Sequence, residues 1–226
     1  MFKLLPIFAA VIIGLVMYLV SAWRLRHMLN EQSTPLDEPE LRAHCQRFQQ
    51  DLGLNALPVH VYEVEMLNGL AAPDGRVFIT RGFVDAMKAG KYTSEELASV
   101  IAHELGHVGL GHARRRMVDF SAQNALRTTL MLLVGRFLPY VGIYVVNFLI
   151  SLISARLSRQ DEFEADSFAT ALMLRSGLGI EPQVSLFEKL GKKNKTGAPA
   201  WLLSHPKADQ RIAAIRDLAA RNGPVT

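Results

Sequence analysis

The sequence predicts an α+β fold that is mostly helical, with a small antiparallel sheet and an N-terminal transmembrane helix. An uncharged run at residues 4–23 predicts the transmembrane helix. Two short segments, at residues 59–64 and 76–80, are rich in β-branched and aromatic residues and predict the sheet. Most of the remaining chain predicts helices, and its length suits one domain with an appended segment.

The uncharged run at residues 4–23 comes first in the chain. About twenty apolar residues are enough to span a bilayer core as a helix. Tyr18 and Trp23 lie toward one end of the run, where aromatic rings favour the membrane interface. A cleavable signal peptide is the alternative, because residues 20–22 offer small side chains at a plausible cleavage point. We favour an uncleaved anchor, because the run is long for a signal peptide and Arg24 would directly follow the cut.

Composition limits the possible partners. Half of the residues are hydrophobic, and this excess is concentrated in two stretches. Cys45 is the only cysteine, which excludes an intrachain disulfide framework and a cysteine-rich structural zinc site. Arg24 and Arg26 can meet anionic lipid head groups, and by the positive-inside rule they favour a cytoplasmic position for the rest of the chain. Membrane lipid is therefore an expected partner. The arginines at 114–116 are interpreted as a solvated helix face, and nucleic acid is not an expected partner. The oligomeric state is left open.

Several elements are predicted between the anchor and the first motif. In order, they are a polar linker at 30–40, a helix at 38–52, strands at 59–64 and 76–80, and a short helix at 82–89. Asp37 is the expected N-cap of the first helix, with Glu40 three residues later. Pro73-Asp74-Gly75 predicts a turn between the two strands.

The segment His103-Glu104-Leu105-Gly106-His107 is an HExxH motif. Thr93 and Glu96 form a predicted capping box, which begins a helix that contains the motif. Side chains four residues apart share a helix face, so His103 and His107 can both reach one tetrahedral zinc ion. Glu104 borders this face without needing to be a ligand, which is the position of a general base for a catalytic water.

A catalytic zinc needs a third protein ligand and one open position. His112 is too close to His107 in the chain to bend back to the same metal, and we expect it to shape the helix end. Glu162 and Asp166 lie four residues apart on a helix predicted at residues 159–175 and share a face. Glu162 could therefore bind zinc while Asp166 accepts a hydrogen bond from a ligating histidine. Glu164 would point elsewhere.

The motifs together resemble a known family. The residues that carry the likeness are HELGH at 103–107, ExxxD at 162–166, Ser204-His205-Pro206, Arg211-Ile212, and Asn68-Gly69-Leu70-Ala71. In this order, over residues 57–218, they resemble the gluzincin family of zinc metallopeptidases that includes HtpX and the CAAX prenyl endoproteases. One departure is Gly69, where relatives usually carry alanine; we expect this difference to be of little consequence.

The resemblance implies a zincin-type metallopeptidase domain with one Zn²⁺ per chain and a polypeptide substrate. It implies zinc ligation by His103, His107 and Glu162, with Glu104 as catalytic base and acid. It also implies that Asp166 and Arg211 support the ligands, that His205 approaches the metal as a catalytic or gating residue, and that substrate binds along Asn68, Gly69, Leu70 and Ala71. Misfolded or unassembled proteins near the membrane are the substrates that it suggests.

A second apolar stretch, at residues 128–155 within a segment at 118–157, separates the two halves of the predicted zinc site. Because His107 precedes it and Glu162 follows it, the stretch cannot cross a membrane once. Pro139 and Gly142 suggest a break between two helices, at 119–138 and 140–157. We expect a hairpin that packs over the domain or enters one leaflet, and a hairpin with two full spans is the alternative.

We therefore divide the chain into a transmembrane anchor at residues 1–23, a linker and leading helix at 24–56, and a metallopeptidase domain at 57–226 that carries the hairpin at 118–157. The predicted function is a membrane-anchored zinc metalloendopeptidase. Two alternatives remain at this point. One is a non-catalytic membrane scaffold or chaperone with a structural metal site, and the other is a prenyl-protein endopeptidase.

Overall fold

The computed structural model describes residues 5–112, 115, 142–192 and 208–222, and it leaves some side chains of residues 5–17, 142–157 and 192 outside the description. The elements are α1 (Leu5–Glu31), β1 (Ser33–Pro35), α2 (Pro39–Asp51), β2 (Val59–Tyr62), β3 (Gly69–Ala71), β4 (Val77–Thr80), α3 (Arg81–Lys88), α4 (Ser94–Gly109), α5 (Gly142–Arg175), α6 (Glu181–Lys192) and α7 (Ala208–Asn222). Long helices and one small sheet confirm the α+β class.

The sheet is mixed, so the expectation of an antiparallel sheet is wrong. Its strand order is β1-β2-β4-β3, and β2 pairs with β4 in parallel. The predicted turn at Pro73-Asp74-Gly75 is present, but it joins β3 to β4, which pair antiparallel. The amide of Gly75 donates to the carbonyl of Ala72 at 3.0 Å, and Gly75 has a φ of +90°, which glycine adopts without strain. Strand β3 therefore lies on the side of β4 opposite β2, and β2 and β4 pair directly in parallel.

Part of the predicted linker belongs to the sheet. Ser33–Pro35 forms the edge strand β1, antiparallel to β2. Thr34 Oγ1 donates a hydrogen bond to Glu63 Oε1 at 2.7 Å, and Arg81 forms an ion pair with the same carboxylate at 2.7 Å. Hydrogen bonds from Arg81 and then Thr34 lower the pKa of Glu63 to about 2. Glu63 thus connects β1, the end of β2 and the start of α3.

The N-cap of the helix after β1 lies one residue later than predicted. Glu38 is the N-cap of α2, with an extended backbone and no capping hydrogen bond from its side chain, and Pro39 occupies the first helical turn. The prediction that Asp37 caps this helix is therefore wrong. Proline is favoured at this position, because its missing amide hydrogen has no partner within the first turn of a helix.

Helix α4 is the centre of the core. Its predicted capping box is confirmed, because Glu96 N donates to Thr93 Oγ1 and Thr93 N donates to Glu96 Oε2. Residues Glu96 to His107 are buried without interruption. Leu97 and Ile101 are fully buried, and each buried side chain of this size contributes about 1.5–3 kcal/mol through the hydrophobic effect. Helices α2, α5 and α6 and strands β3 and β4 all contact α4.

Helix α5 is continuous from Gly142 to Arg175. The separate helices predicted at 140–157 and 159–175 are therefore one helix, whose length is about 50 Å at a rise of 1.5 Å per residue. Helix α5 approaches α4 closely at Gly106, where a Cβ atom would lie 3.0 Å from both the Cα and the carbonyl oxygen of Ala165. The absence of a side chain at Gly106 brings the two helix backbones together directly beside the HExxH residues.

The amino-terminal helix α1 contacts the outer face of the sheet through its last turns. Leu29 is fully buried there and packs in one cluster with Phe78 and Ala72. Nearer the amino terminus, large apolar side chains are exposed, including Phe8, Ile12, Leu15, Leu19 and Trp23. No helix in the described residues is both long enough and apolar enough to cross a membrane. The predicted anchor at residues 1–23 and the predicted hairpin at 118–157 both lie partly outside the described residues.

Candidate metal centre

Two helices bring the candidate zinc ligands together. His103 and His107 lie on one face of α4, and Glu162 lies on the facing side of α5. All three side chains are between 2% and 5% exposed. Because α5 contacts α4 at Gly106, between the two histidines, the carboxylate of Glu162 reaches both imidazoles. The 54 residues between His107 and Glu162 in the sequence therefore do not separate them in space.

The spacing of these three groups fits a tetrahedral zinc ion. His103 Nε2 and His107 Nε2 lie 3.1 Å apart. The oxygens of Glu162 lie 3.4 Å from His103 Nε2 and 3.5 Å from His107 Nε2. Ligand atoms at about 2.0–2.1 Å from a tetrahedral zinc lie about 3.3–3.4 Å from one another. Two imidazoles and one carboxylate are also a ligand set typical of catalytic zinc, which keeps its fourth position open.

Glu104 lies beside the cluster and against strand β3. Its side chain is 2% exposed, and a Cβ atom at Gly69 would lie 2.9 Å from Glu104 Oε1 and 2.8 Å from Val100 Cγ1. An alanine at position 69 would therefore require Glu104 or Val100 to move. Position 69 is therefore tightly packed against the candidate base Glu104.

The segment predicted to bind substrate is the edge of the sheet nearest Glu104. Gly69–Ala71 form β3, and in the described part of the chain no strand pairs with its outer side. Asn68 holds the start of the strand: its amide donates to Thr80 Oγ1 at 3.0 Å, and its carbonyl oxygen accepts from Thr80 N at 3.1 Å. Leu70 is partly exposed. Such an edge offers unpaired backbone groups to an extended peptide.

Asp166 and Arg211 support His103 from behind. Asp166 Oδ1 lies 3.0 Å from His103 Nδ1, the ring nitrogen that faces away from the candidate metal position. Arg211 holds Asp166 with two hydrogen bonds, from Nε at 2.5 Å and from Nη2 at 2.7 Å. Arg211 is 1% exposed, and its guanidinium lies 4.5 Å from the ring of Phe187. Burial alone would raise the pKa of Asp166, but the charge and hydrogen bonds of Arg211, with the bond to His103, lower it below its ordinary value.

The same contacts affect His103. Burial lowers the pKa of its imidazole, but hydrogen bonds with Asp166 and Glu162 outweigh burial and raise that pKa to about 9. Zinc binds only the unprotonated ring nitrogen. A zinc ion held by His103 would therefore have to displace a proton from this imidazole.

His112 has a position that the sequence did not predict. Helix α4 ends at Gly109, and Gly111 adopts a φ of +69°, which turns the chain back toward the helix. His112 is fully buried, and its Nδ1 lies 2.9 Å from His107 Nδ1. As expected, it lies outside the candidate ligand set, yet it contacts a ligand directly. The sequence signal that could have indicated this contact is Gly111, a glycine at the end of the helix that directly precedes His112.

Glu164 also has a contact that the sequence did not predict. It lies outside the candidate ligand set, as expected, but its Oε2 lies 3.1 Å from His112 Nε2. Hydrogen bonds from Gln160 and then His112 lower the pKa of Glu164 below its ordinary value. His205 lies outside the described residues, so its expected approach to the metal stays a prediction.

Comparison with known proteins places these observations in a family. The model for peptidase family M48 matches residues 35–219. The metalloprotease LoiP of Escherichia coli (strain K12) is 28% identical over 75% of this chain and 66% of its own length. The metalloprotease YcaL of the same strain is 30% identical over 74% of this chain and 65% of its own length. Protease HtpX of Vibrio atlanticus is 27% identical over 82% of this chain and 75% of its own length.

The matches to LoiP and YcaL span just under two thirds of each of these relatives. The family match, in contrast, includes both helices that carry the candidate ligands and the sheet edge beside Glu104. This chain belongs to peptidase family M48.

Proposed function

We propose that this protein is a zinc-dependent metalloendopeptidase that is attached to a membrane and hydrolyses extended segments of polypeptide. The observation that carries the proposal is the convergence of His103, His107 and Glu162 at spacings that suit tetrahedral zinc, with Glu104 directly beside them. M48 metallopeptidases are zinc-dependent, and two histidines with one glutamate are a donor set that catalytic zinc sites use.

Each residue has a chemical task in this proposal. His103, His107 and Glu162 would hold the zinc, which when bound supplies a Lewis acid that makes a water molecule nucleophilic near neutral pH. Glu104 accepts a proton from the attacking water and returns it to the leaving amine. Asp166, held by Arg211, keeps the proton of His103 on Nδ1, so that Nε2 stays free to bind metal. His205 is proposed to assist at the oxyanion or to gate the site.

The substrate is proposed to add as a strand to the outer edge of β3. Backbone hydrogen bonds with Gly69–Ala71 would place a scissile peptide beside Glu104, because Gly69 and Glu104 are in contact. A compact protein seldom offers a free strand of this kind. Misfolded or unassembled proteins, which expose extended segments, are therefore the proposed substrate class.

The two alternatives have less support. A purely structural zinc site is closed by four protein ligands and has no use for a buried carboxylate such as Glu104. The described residues instead provide three ligands and an adjacent base. A prenyl-protein endopeptidase needs a chamber of several membrane spans, whereas this sequence has two apolar stretches.

Zinc binding and proteolysis test the enzymatic proposal. We expect the purified full-length protein to bind one zinc per chain, to cleave casein, to lose this activity after chelation, and to regain it when zinc is restored. Elemental analysis and a casein cleavage assay measure these outcomes. Protein that contains no stoichiometric zinc, or that cleaves casein equally well after complete removal of the metal, would contradict the proposal.

Attachment to the membrane is proposed to involve α1. The helix exposes Phe8, Ile12, Leu15, Leu19 and Trp23, and apolar side chains arranged in this way are better solvated by lipid than by water. We place the catalytic domain on the cytoplasmic side. The apolar hairpin at 118–157 is proposed to lie against the same membrane.

Membrane extraction tests the attachment. We expect the full-length chain to remain in the membrane fraction after extraction with alkaline carbonate, whereas a chain without residues 1–23 is released. A topology reporter inserted after Gly111 is expected to report the cytoplasmic side. Release of the full-length chain into the carbonate supernatant would exclude a membrane anchor, and a reporter on the other side would reverse the orientation.

A further inference from the structure

The ring of His112 contacts the side of His107 that faces away from the candidate metal position. Their Nδ1 atoms lie 2.9 Å apart, and their ring centroids lie 5.1 Å apart at an angle of 67°. Two nitrogens at this distance require one hydrogen between them. One of the two rings must therefore donate through Nδ1, and the other must accept.

The metal requirement decides which ring donates. His107 Nε2 faces His103 and Glu162, so it is the nitrogen available to a zinc ion. A neutral imidazole that binds metal through Nε2 carries its hydrogen on Nδ1. His107 Nδ1–H therefore donates to His112 Nδ1. A neutral His112 must then carry its own hydrogen on Nε2.

That second hydrogen also has an acceptor. Glu164 Oε2 lies 3.1 Å from His112 Nε2, and Glu164 Oε1 accepts a hydrogen bond from Gln160 Nε2 at 2.8 Å. Asp161 Oδ1 is farther from His112 Nε2, at 3.8 Å. The two contacts, from His107 to His112 and from His112 to Glu164, thus each have one donor and one acceptor. No other arrangement of tautomers satisfies both contacts while His107 binds metal.

We infer that His112 and Glu164 form a hydrogen-bonded relay that positions His107 as a zinc ligand. The inference rests on the proposed zinc site and adds a positioning residue that acts through His107. In this relay His112 is the outer hydrogen-bond partner of His107, just as Asp166 is the outer partner of His103. Outer partners of this kind hold the ligand ring in place and fix its tautomer.

A second metal ion is the competing explanation for the same residues. His112, Asp161 and Glu164 place possible ligand atoms close together. However, Arg115 Nη1 lies 3.4 Å from Asp161 Oδ1 and 4.0 Å from Glu164 Oε2, so a cation is already present at these carboxylates. A metal on His112 Nε2 would also remove the hydrogen that Glu164 accepts. The relay therefore agrees better with the charges around the cluster.

Zinc affinity in matched variants tests the relay. We expect H112L, which removes the acceptor for His107 Nδ1–H, to weaken zinc binding by about 10- to 100-fold, the usual effect of losing an outer partner. H112N retains an acceptor oxygen at nearly the position of Nδ1, so it should retain most of the affinity. H44L, a histidine replacement on α2 away from the site, is the control and should leave the affinity unchanged. Competition with a chromophoric zinc chelator measures all three variants in the full chain.

The tautomers give a second readout that does not depend on a variant. In the zinc-loaded wild-type protein, long-range ¹⁵N–¹H correlations are expected to show hydrogen on Nδ1 of His107 and on Nε2 of His112. Hydrogen on Nδ1 of His112, or two zinc ions per chain, would overturn the relay. Equal zinc affinities of H112L and wild type would also overturn it while leaving the peptidase proposal intact. Absence of zinc from wild type would instead refute the proposed function itself.

Discussion

Replacement of Glu104 by glutamine is expected to leave zinc bound and to remove nearly all casein cleavage. Glutamine keeps the size of the buried side chain, but it cannot accept the proton of the attacking water. Loss of a positioned general base typically lowers the rate about 10²- to 10⁴-fold. Because Glu104 lies outside the group of His103, His107 and Glu162, its neutralisation should not remove a zinc ligand.

Measurement of kcat and zinc content on the same preparation distinguishes loss of the base from loss of the metal. E104Q should show a large decrease in kcat with one zinc per chain. Glu95 provides a matched control, because it lies in the first turn of the same helix α4 and away from the metal cluster. E95Q should cleave casein at the wild-type rate. Undiminished cleavage by E104Q would exclude the proposed mechanism.

The contact between Glu104 and Gly69 connects the candidate base to the proposed substrate-binding edge. A Cβ atom at position 69 would lie 2.8 Å from Val100 Cγ1 and 2.9 Å from Glu104 Oε1, so the absence of a side chain there lets β3 pack closely against α4. The sheet edge and the candidate base are therefore parts of one packed unit. A substrate strand that pairs with β3 would lie directly beside the Glu104 carboxylate. Holding the reacting groups together in this way makes the reaction effectively unimolecular and lowers its entropic cost.

Local signals in the sequence were sufficient for the central helix and its motif. The capping box of Thr93 and Glu96 predicted where α4 begins, because both of its hydrogen bonds form within one turn. The four-residue spacing of His103 and His107 predicted a shared face for the same reason. The ExxxD spacing likewise placed Glu162 and Asp166 on one side of α5.

The features that could not be predicted from the sequence depend on contacts between segments that are distant in the chain or joined by a turn. Strand β1 has three residues, too few for an alternating pattern, and it exists because its backbone pairs with β2. The parallel pairing of β2 with β4 depends on where β3 lies, and no local residue determines that position. The role of His112 depends on the turn at Gly111, which directs the ring toward His107 and not away from it.

Replacement of Arg211 by methionine is expected to destabilise the protein by about 3–5 kcal/mol, the usual cost of removing one partner from a buried ion pair. Arg211 and Asp166 are both almost fully buried, and the guanidinium makes two hydrogen bonds to the carboxylate. Methionine would fill part of the volume beside Phe187, but Asp166 would lose its countercharge. Lysine should not restore stability, because an ammonium group cannot reproduce the paired geometry of a guanidinium.

Exposed Arg216, on the same helix α7, is the control. It pairs with Glu188 at 3.3 Å on the surface, where an ion pair contributes about 0–1 kcal/mol. Urea denaturation of wild type, R211M and R216Q in detergent would measure the free energy of unfolding of each. R211M should also bind zinc more weakly, because Asp166 would no longer be held against His103. Equal unfolding midpoints for R211M and R216Q would contradict the expectation.

The destabilisation by R211M should depend on pH in a defined direction. In the folded protein the pKa of Asp166 lies below its ordinary value of 3.8, with Arg211 as the main favourable cause against burial. A carboxyl group whose pKa is lowered by folding contributes stability above its unfolded pKa, and this contribution is lost as the pH falls through the folded pKa. The difference in unfolding free energy between wild type and R211M should therefore be constant near neutral pH and decrease below about pH 4. A difference that instead increases in acid would show that the Asp166 carboxylate is not the group that Arg211 stabilises.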